Sequence, residues 1–232
     1  MRAVILGGGV VGVTTACQLE KDGYDVTIVD RETSLAEGAS WGNAGMMPPG
    51  HSFVWSSPAA PKTLMKSLVM KDQALRFRLS ADPHLYTWSL KFLMECTAAK
   101  AKKNTLLKHR LAVHSQRVLQ EVVRDESIAY DRTDQGILYF HRSQAALERG
   151  AANMRLLQED GQEIRVIDES EIIRREPALA SSRGKIAGGI LCPTGETGDS
   201  AKFTRALADI VAKRGGKILT GTNVTGFDRI GD

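Results

Sequence analysis

Residues 2–30, "RAVILGGGVVGVTTACQLEKDGYDVTIVD", decide the fold. Four glycines, Gly7, Gly8, Gly9 and Gly12, follow an apolar run directly. Each glycine costs backbone entropy, about 0.5–1 kcal/mol against alanine in regular structure, so the cluster needs a reason. Ala3 to Leu6 read as a buried parallel strand. Val10, Val13, Ala16, Cys17 and Leu19 then fall near helical spacing, and Gly23 stops the helix. "DVTIVD" is a second strand ending in Asp30. Strand, glycine turn, helix and strand make one parallel crossover unit.

Gly7, Gly9 and Gly12 form GxGxxG, and a dinucleotide site gives each a task. Gly7 permits the tight turn, Gly9 bares main chain to a pyrophosphate, and Gly12 lets helix and strand pack closely. The helix start at Val10 and Val11 presents free N–H groups and a partial positive charge to phosphate. Asp30 stands where a carboxylate accepts hydrogen bonds from ribose hydroxyls. Arg31 can hold a 2′-phosphate, but Asp30 beside it repels one, so the adenosine of FAD or NAD fits better than that of NADP. Gly8 has no task beyond easing the turn. The glycine motif does not separate FAD from NAD.

The following stretch bears on that choice. An NAD domain usually continues with further strand–helix units. Here residues 38–61, "GASWGNAGMMPPGHSFVWSSPAAP", form a loop. Ser40, Asn43, Ala44 and Gly45, with Gly38, Ala39 and Gly42, are small enough for backbone N–H groups to reach a pyrophosphate or a flavin ring. Trp41, Met46, Met47, Phe53 and Trp55 make this an ordered, packed loop rather than a linker.

The rest of the chain bounds the class. Its 232 residues are 42% hydrophobic and 25% charged, enough for one large or two small domains. No apolar run reaches the roughly 20 residues of a membrane span, and the first apolar run lacks the shape of a signal sequence, so the expectation is a cytoplasmic chain. Cys17, Cys96 and Cys192 have no CxxC spacing, which argues against a disulfide framework or a zinc site. The five histidines show no metal-ligand spacing and read as solvated. The net charge of +4 gathers in "KFLMECTAAKAKKNTLLKHRLAVHSQR". Without interleaved aromatics this stripe excludes a nucleic-acid module; a solvated helix face is favoured over weak peripheral docking to a membrane.

Residues 62–125 look helical, with a start at Asp82-Pro83 and an apolar face of Leu107, Leu111, His114, Val118 and Val122. Beyond 130 come a strand "GILYFHRS", a helix closed by Gly161, a strand and short acidic helix in "EIRVIDESEIIRREPAL", and a strand "GKIAGGILCP". A helix capped by Asp199 and ended by Gly215-Gly216 follows. "KILTGTNVTGFD" reads as two short strand pieces. Glu196 reads as a loop carboxylate stabilised near that helix start.

The N-terminal unit joined to "NAGMMPPGH", with "EPALA" and "GGILCPTGETGDSAKFTRALA", resembles the small (catalytic) subunit of bacterial D-amino acid dehydrogenase. That family lies within the D-amino acid oxidase-like flavoproteins, and the resemblance runs over essentially the whole chain. It implies an α/β fold: a Rossmann-like FAD-binding domain from residues 1–79 and 192–232, with an inserted α+β substrate domain over 80–191. It implies FAD as cofactor, with Ser40, Asn43, Ala44 and Gly45 near the flavin. The implied reaction oxidises a D-amino acid to a 2-oxo acid and ammonia. Electrons pass to a quinone or other respiratory-chain acceptor at the cytoplasmic face of the inner membrane. Glycine, sarcosine or hydroxyproline oxidation, and an inactive truncated FAD-binding fragment, stand as alternatives. No side-chain base is required, so no catalytic residue is assigned. The family's substrate arginine and last glycine-rich flavin loop are expected beyond Asp232, which makes this an N-terminal portion. After "PG" the family commonly has tyrosine; here His51 stands, read as a loop histidine in preference to a covalent flavin attachment or a proton relay.

Overall fold

The computed structural model describes residues 1–69 and 81–229. The elements, in chain order, are β1 (Arg2–Leu6), α1 (Val10–Lys21), β2 (Asp25–Val29), β3 (Met46–Met47), α2 (Ala60–Val69), α3 (Pro83–Glu95) and α4 (Ala98–Asp125). They continue with β4 (Ile137–His141), α5 (Gln144–Glu159), β5 (Arg165–Ile167), α6 (Glu169–Arg175), β6 (Gly188–Cys192), β7 (Glu196–Thr197), α7 (Ser200–Lys213) and β8 (Lys217–Leu219). Asp82, Ser143, Asp168 and Asp199 cap α3, α5, α6 and α7 through side-chain oxygens, each satisfying a backbone N–H that would otherwise lack a partner. Among the described residues no helix is long and apolar enough to cross a membrane.

The chain packs as two compact units: residues 1–47, 117–134 and 196–232, and residues 48–116 and 135–195. The expected domain boundary after residue 79 lies outside the described residues. Packing also divides the chain differently from the expected segments: residues 48–69 pack in the second unit, and residues 117–134 in the first. The long helix α4 supplies its early turns to the second unit and its last turns to the first.

In the first unit β1, β2 and β8 form a parallel sheet in the order β1-β2-β8. The core joins Val13, Ala16 and Cys17 of α1 to Val26 and Ile28 of β2 and Leu207, Ala208 and Val211 of α7. Each fully buried aliphatic side chain contributes about 1.5–3 kcal/mol. Tyr130 and Phe203 close this core edge to face, with centroids 5.5 Å apart. Cys17 lies within the core, where burial pushes its thiol up.

Two expectations need correction in this unit. β1 is not buried on both faces: Ala3 and Ile5 pack on the core, whereas Val4 and Leu6 are 64% and 51% exposed. Strand alternation sends them to the face opposite α1, and β1 is an edge strand. Residues 217–228 hold one strand, β8, rather than two; after Leu219 the backbone turns, and Gly221 and Thr222 donate to the carbonyls of Glu32 and Asp30.

An ion cluster ties this unit's helix ends. Arg214 donates to both carboxylate oxygens of Glu126 at 2.9 and 2.8 Å, and Lys21 lies 3.4 Å from the same group. The hydrogen bond from Arg214, then that from Lys21, holds the Glu126 carboxyl below its ordinary 4.5. As pH falls through about 4.5 the unfolded chain takes up this proton first, so unfolding gains. The stabilisation is whole above that pH and is gone once the folded group is protonated too. Glu126→Gln is therefore expected to lower the urea midpoint at pH 7 and to flatten its fall as pH drops through and below 4.5.

The second unit holds an antiparallel sheet in the order β4-β6-β5. Ile190 of this sheet packs on Leu147, Met154 and Leu157 of α5, with Tyr139 beside them. The apolar face expected on α4 is turned outward along its early turns, where Leu107 and Leu111 are 55% and 64% exposed. The buried positions there are Thr105 and His109. His109 is not solvated, as its class suggested. Its Nδ1 lies 2.8 Å from Asp160 Oδ2 and its Nε2 3.2 Å from Gln162 Oε1. Hydrogen bonds from His109, then from Arg110, hold the Asp160 carboxyl below its usual range. Polar partners facing both ring nitrogens stand where an apolar contact was expected.

Candidate functional site: a cleft at the glycine turn

The first unit carries a cleft of about 590 Å³ at the carboxyl ends of β1 and β2. Gly7, Gly9, Val10, Val11, Asp30, Arg31, Ser40 and Asn43 line it. Gly12, Ala44 and Gly45 do not, and each is accounted for locally. A Cβ on Gly12 would stand 1.9 Å from the Gly7 carbonyl oxygen, so Gly12 sets the close approach of α1 to the turn. Gly45 sits against Gly198 in the same way, and Ala44 is exposed. Gly7 adopts φ +104°, which a residue with a side chain rarely does.

Local hydrogen bonds shape the cleft before any ligand arrives. Gly8 donates its N–H to Asp30 Oδ2 at 2.5 Å, and Glu32 donates to Asp30 Oδ1 at 2.9 Å. Gly8 thus has a task the sequence did not reveal: a Cβ there would meet Leu35 at 2.2 Å and Asp30 at 2.9 Å. Val10 N–H is not free for phosphate, because it donates to Ser40 Oγ at 2.9 Å. Ser40 is buried, and its own O–H stays available to the cleft that it lines. Among the described residues the N–H groups of Gly9, Val11 and Gly12 have no acceptor. No acid stands in the first turn of α1 to oppose an anion.

Asn43 accepts the Gly45 N–H at 2.6 Å, a turn that fixes the loop. Arg205 of α7 pins the loop's earlier part. It donates to the Leu35 carbonyl at 3.1 Å and to Glu37 at 3.0 Å, and its guanidinium lies 5.1 Å from the Trp41 ring centre. The sequence leaves Trp41 and Trp55 equally open to stacking on flavin or substrate and to packing beneath the loop; they are 64% and 77% exposed and do not pack beneath it. Arg31 pairs with Glu32 at 3.1 Å. Thr222, Asn223 and Val224, which sequence reasoning missed, also line the cleft. Their signal was available: they follow the third parallel strand, and ligands gather beyond the carboxyl ends of such strands.

The residues present fit a dinucleotide. Gly9 is bare except for Ser40 Oγ, 3.2 Å from where a Cβ would stand. Donors at a helix start face one part of the cleft and a fixed carboxylate the other, which suits a diphosphate and a ribose.

Glu196 needs correction as well. It is 1% exposed, on β7, and accepts from Arg132 Nε at 2.5 Å and Gln120 Nε2 at 2.8 Å. It belongs to a buried ion pair rather than to the start of α7, whose cap is Asp199. In the second unit His51 stacks on Tyr139, with Tyr139 Oη 3.2 Å from His51 Nδ1. Burial pushes the Tyr139 phenol up to about 12, so it stays protonated and can donate to that nitrogen. Burial also pushes the Cys192 thiol up to about 11, which makes it unreactive.

Comparison with known proteins places these features. The family model of the FAD dependent oxidoreductases (DAO) matches residues 2–232. "D-amino acid dehydrogenase 2" of Mesorhizobium japonicum is 41% identical over 233 aligned positions, which take in 100% of this chain and 56% of the relative. The D-amino acid dehydrogenase of Rhizobium rhizogenes is 41% identical over 97% of this chain and 54% of the relative. The chain thus spans about half the length of the curated relatives it matches. Among solved structures, glycine oxidase from Geobacillus kaustophilus superposes with a TM-score of 0.64 at 19% identity, covering 95% of this chain and 46% of that one. This likeness concerns the fold. On the family match and these relatives, the chain belongs to the FAD dependent oxidoreductase (DAO) family, whose cofactor is FAD.

Proposed function

We propose that this chain carries the FAD-binding part of an enzyme that oxidatively deaminates D-amino acids to 2-oxo acids and ammonia. The observation that carries the reading is the cleft in which bare Gly9 main chain lies between the start of α1 and the fixed carboxylate of Asp30. The relatives named D-amino acid dehydrogenase, at 41% identity, supply the substrate class. The first unit takes the cofactor role, and the second the substrate role.

Bound FAD supplies the two-electron acceptor for oxidation of the amine at its α-carbon. The chain's own residues bind and orient. Gly9, Val11 and Gly12 offer N–H groups to the diphosphate, and Ser40 adds a hydroxyl. Asp30 receives the ribose hydroxyls. No side chain is assigned as general base. On this reading electrons leave to a respiratory acceptor of the quinone type, with the enzyme cytoplasmic and working at the cytoplasmic face of the inner membrane.

The test is FAD binding to the isolated chain, followed by quenching of flavin fluorescence. Saturable quenching is expected, with no competition from NAD. Gly9→Val puts branched carbon where the diphosphate approaches, at a backbone conformation open to any residue (φ −78°, ψ 176°). It is expected to weaken binding about ten-fold, or about 1.4 kcal/mol, with the urea midpoint little changed. A folded chain that leaves flavin unquenched, or a Gly9→Val variant that binds as tightly as the parent, overturns the reading. In the longer enzyme, anaerobic flavin bleaching across D-amino acids, glycine, sarcosine and hydroxyproline fixes the substrate.

A further inference from the structure

We propose that Arg205 is a positioning residue for the flavin cofactor: it stands outside the cleft, yet it neutralises Glu37 and fixes the loop segment that carries Ser40 to the start of α1. The inference rests on reading the first unit's cleft as the FAD site. Arg205 belongs to α7, whose Phe203, Leu207 and Ala208 are buried in the core, so its side chain starts from a rigid base. It does not line the cleft. Its contacts run along the loop from Leu35 to Trp41. Nε donates to the Leu35 carbonyl at 3.1 Å, a terminal nitrogen donates to the Glu37 carboxylate at 3.0 Å, and the guanidinium lies 5.1 Å from the Trp41 ring centre.

The loop has few anchors of its own. From residue 37 to 44 only Ser40 is buried. Gly38 and Gly42 have open space where a Cβ would stand. Ser40 lies between Glu37 and Trp41, the two side chains that Arg205 engages, and its Oγ accepts the Val10 N–H at 2.9 Å. Releasing both flanks lets Ser40 draw back, and its hydroxyl is then lost to the diphosphate. Charge points the same way. Three carboxylates line the cleft, Asp30, Glu32 and Glu37, and each one left unanswered repels a diphosphate. Asp30 takes two N–H groups, and Glu32 pairs with Arg31 beside it. The answer to Glu37 comes from Arg205, 168 positions further along the chain. A lysine would supply the charge, but not the planar fork that reaches carbonyl, carboxylate and ring together.

The test measures FAD affinity by quenching of flavin fluorescence, with circular dichroism checking that each variant is folded. Arg205→Gln is expected to weaken binding about five-fold, and Arg205→Lys about two-fold. Glu37→Gln removes the charge that needs an answer and stays within about two-fold of the parent. In the Glu37→Gln background, Arg205→Gln costs only about two-fold, the share carried by the loop. A residue that merely stabilised the fold would cost the same in both backgrounds. A second readout needs no flavin. With Trp55 and Trp88 replaced by phenylalanine, both of them exposed, Trp41 is the one tryptophan left. Arg205→Gln uncovers its ring and is expected to raise acrylamide quenching about 1.5-fold. Unchanged FAD affinity in Arg205→Gln, equal losses in the two backgrounds, or unchanged Trp41 quenching overturns the proposal. A parent chain that binds FAD with an indifferent Arg205 strikes this inference alone; a parent chain that leaves flavin unquenched strikes the flavin reading, and this inference with it.

Discussion

Gly12→Ala is expected to destabilise the chain by about 3 kcal/mol, against the sign that helix propensity gives. Alanine is the better helix former by about 1 kcal/mol. At this position, however, its methyl carbon would stand 1.9 Å from the Gly7 carbonyl oxygen and 3.3 Å from Ile5. The nearer obstacle is backbone and cannot rotate away. α1 must lift from the turn, which opens the packing of Val13, Ala16 and Cys17 on β2. Forced overpacking of this kind costs about 1–3 kcal/mol. Gly9→Ala is the control. Its methyl meets only the Ser40 hydroxyl, at 3.2 Å, and should change stability by no more than about 0.5 kcal/mol. Urea unfolding of the three proteins separates the cases. Equal midpoints for Gly12→Ala and the parent would show that the helix does not rest on the turn as described.

The second large effect is expected at Arg132. Removing one member of a buried pair strands the other, at a cost of about 3–5 kcal/mol. Glu196 is the group left behind here: it is 1% exposed, and loss of Arg132 removes the guanidinium that faces its carboxylate, while Gln120 still donates to it at 2.8 Å. The Arg132 side chain is 35% exposed, so water softens the loss, and Arg132→Met should cost about 3 kcal/mol. Exchanging both residues for methionine removes the stranded charge. That double variant is expected to be more stable than Arg132→Met alone, by about 1–2 kcal/mol. If the double variant were the less stable of the two, the ion pair would not be the source of the effect.

What could be read from the sequence was local. The turn at Gly7 to Gly12, the helix after it and the caps at Asp82 and Asp199 each depend on residues a few positions apart. What could not be read depends on partners far along the chain. Arg132 and Gln120 reach Glu196 across 64 and 76 residues. Hydropathy spacing on α4 favoured the face of Leu107 and Leu111, because it scores a buried histidine as a surface residue. His109 is buried because Asp160 and Gln162, some 50 positions later, satisfy its ring. The cleft divides in the same way. Gly9 and Asp30 follow from the crossover pattern, whereas Thr222 to Val224 enter only because β8 joins the sheet beside β2. The task of Gly8 was hidden for a related reason: Leu35 and the Asp30 carboxylate occupy the space its side chain would need.

The two N–H groups that grip Asp30, from Gly8 and Glu32, have a consequence for discrimination. In the proposed flavin site the carboxylate would not search among rotamers when a sugar arrives, so the roughly 0.5–1.5 kcal/mol of ordering would be met during folding rather than at encounter. A rigid acceptor is also an unforgiving one. It cannot swing to a substitute donor, so a nucleotide lacking a ribose hydroxyl should forfeit that contact outright and be screened out at this end of the molecule.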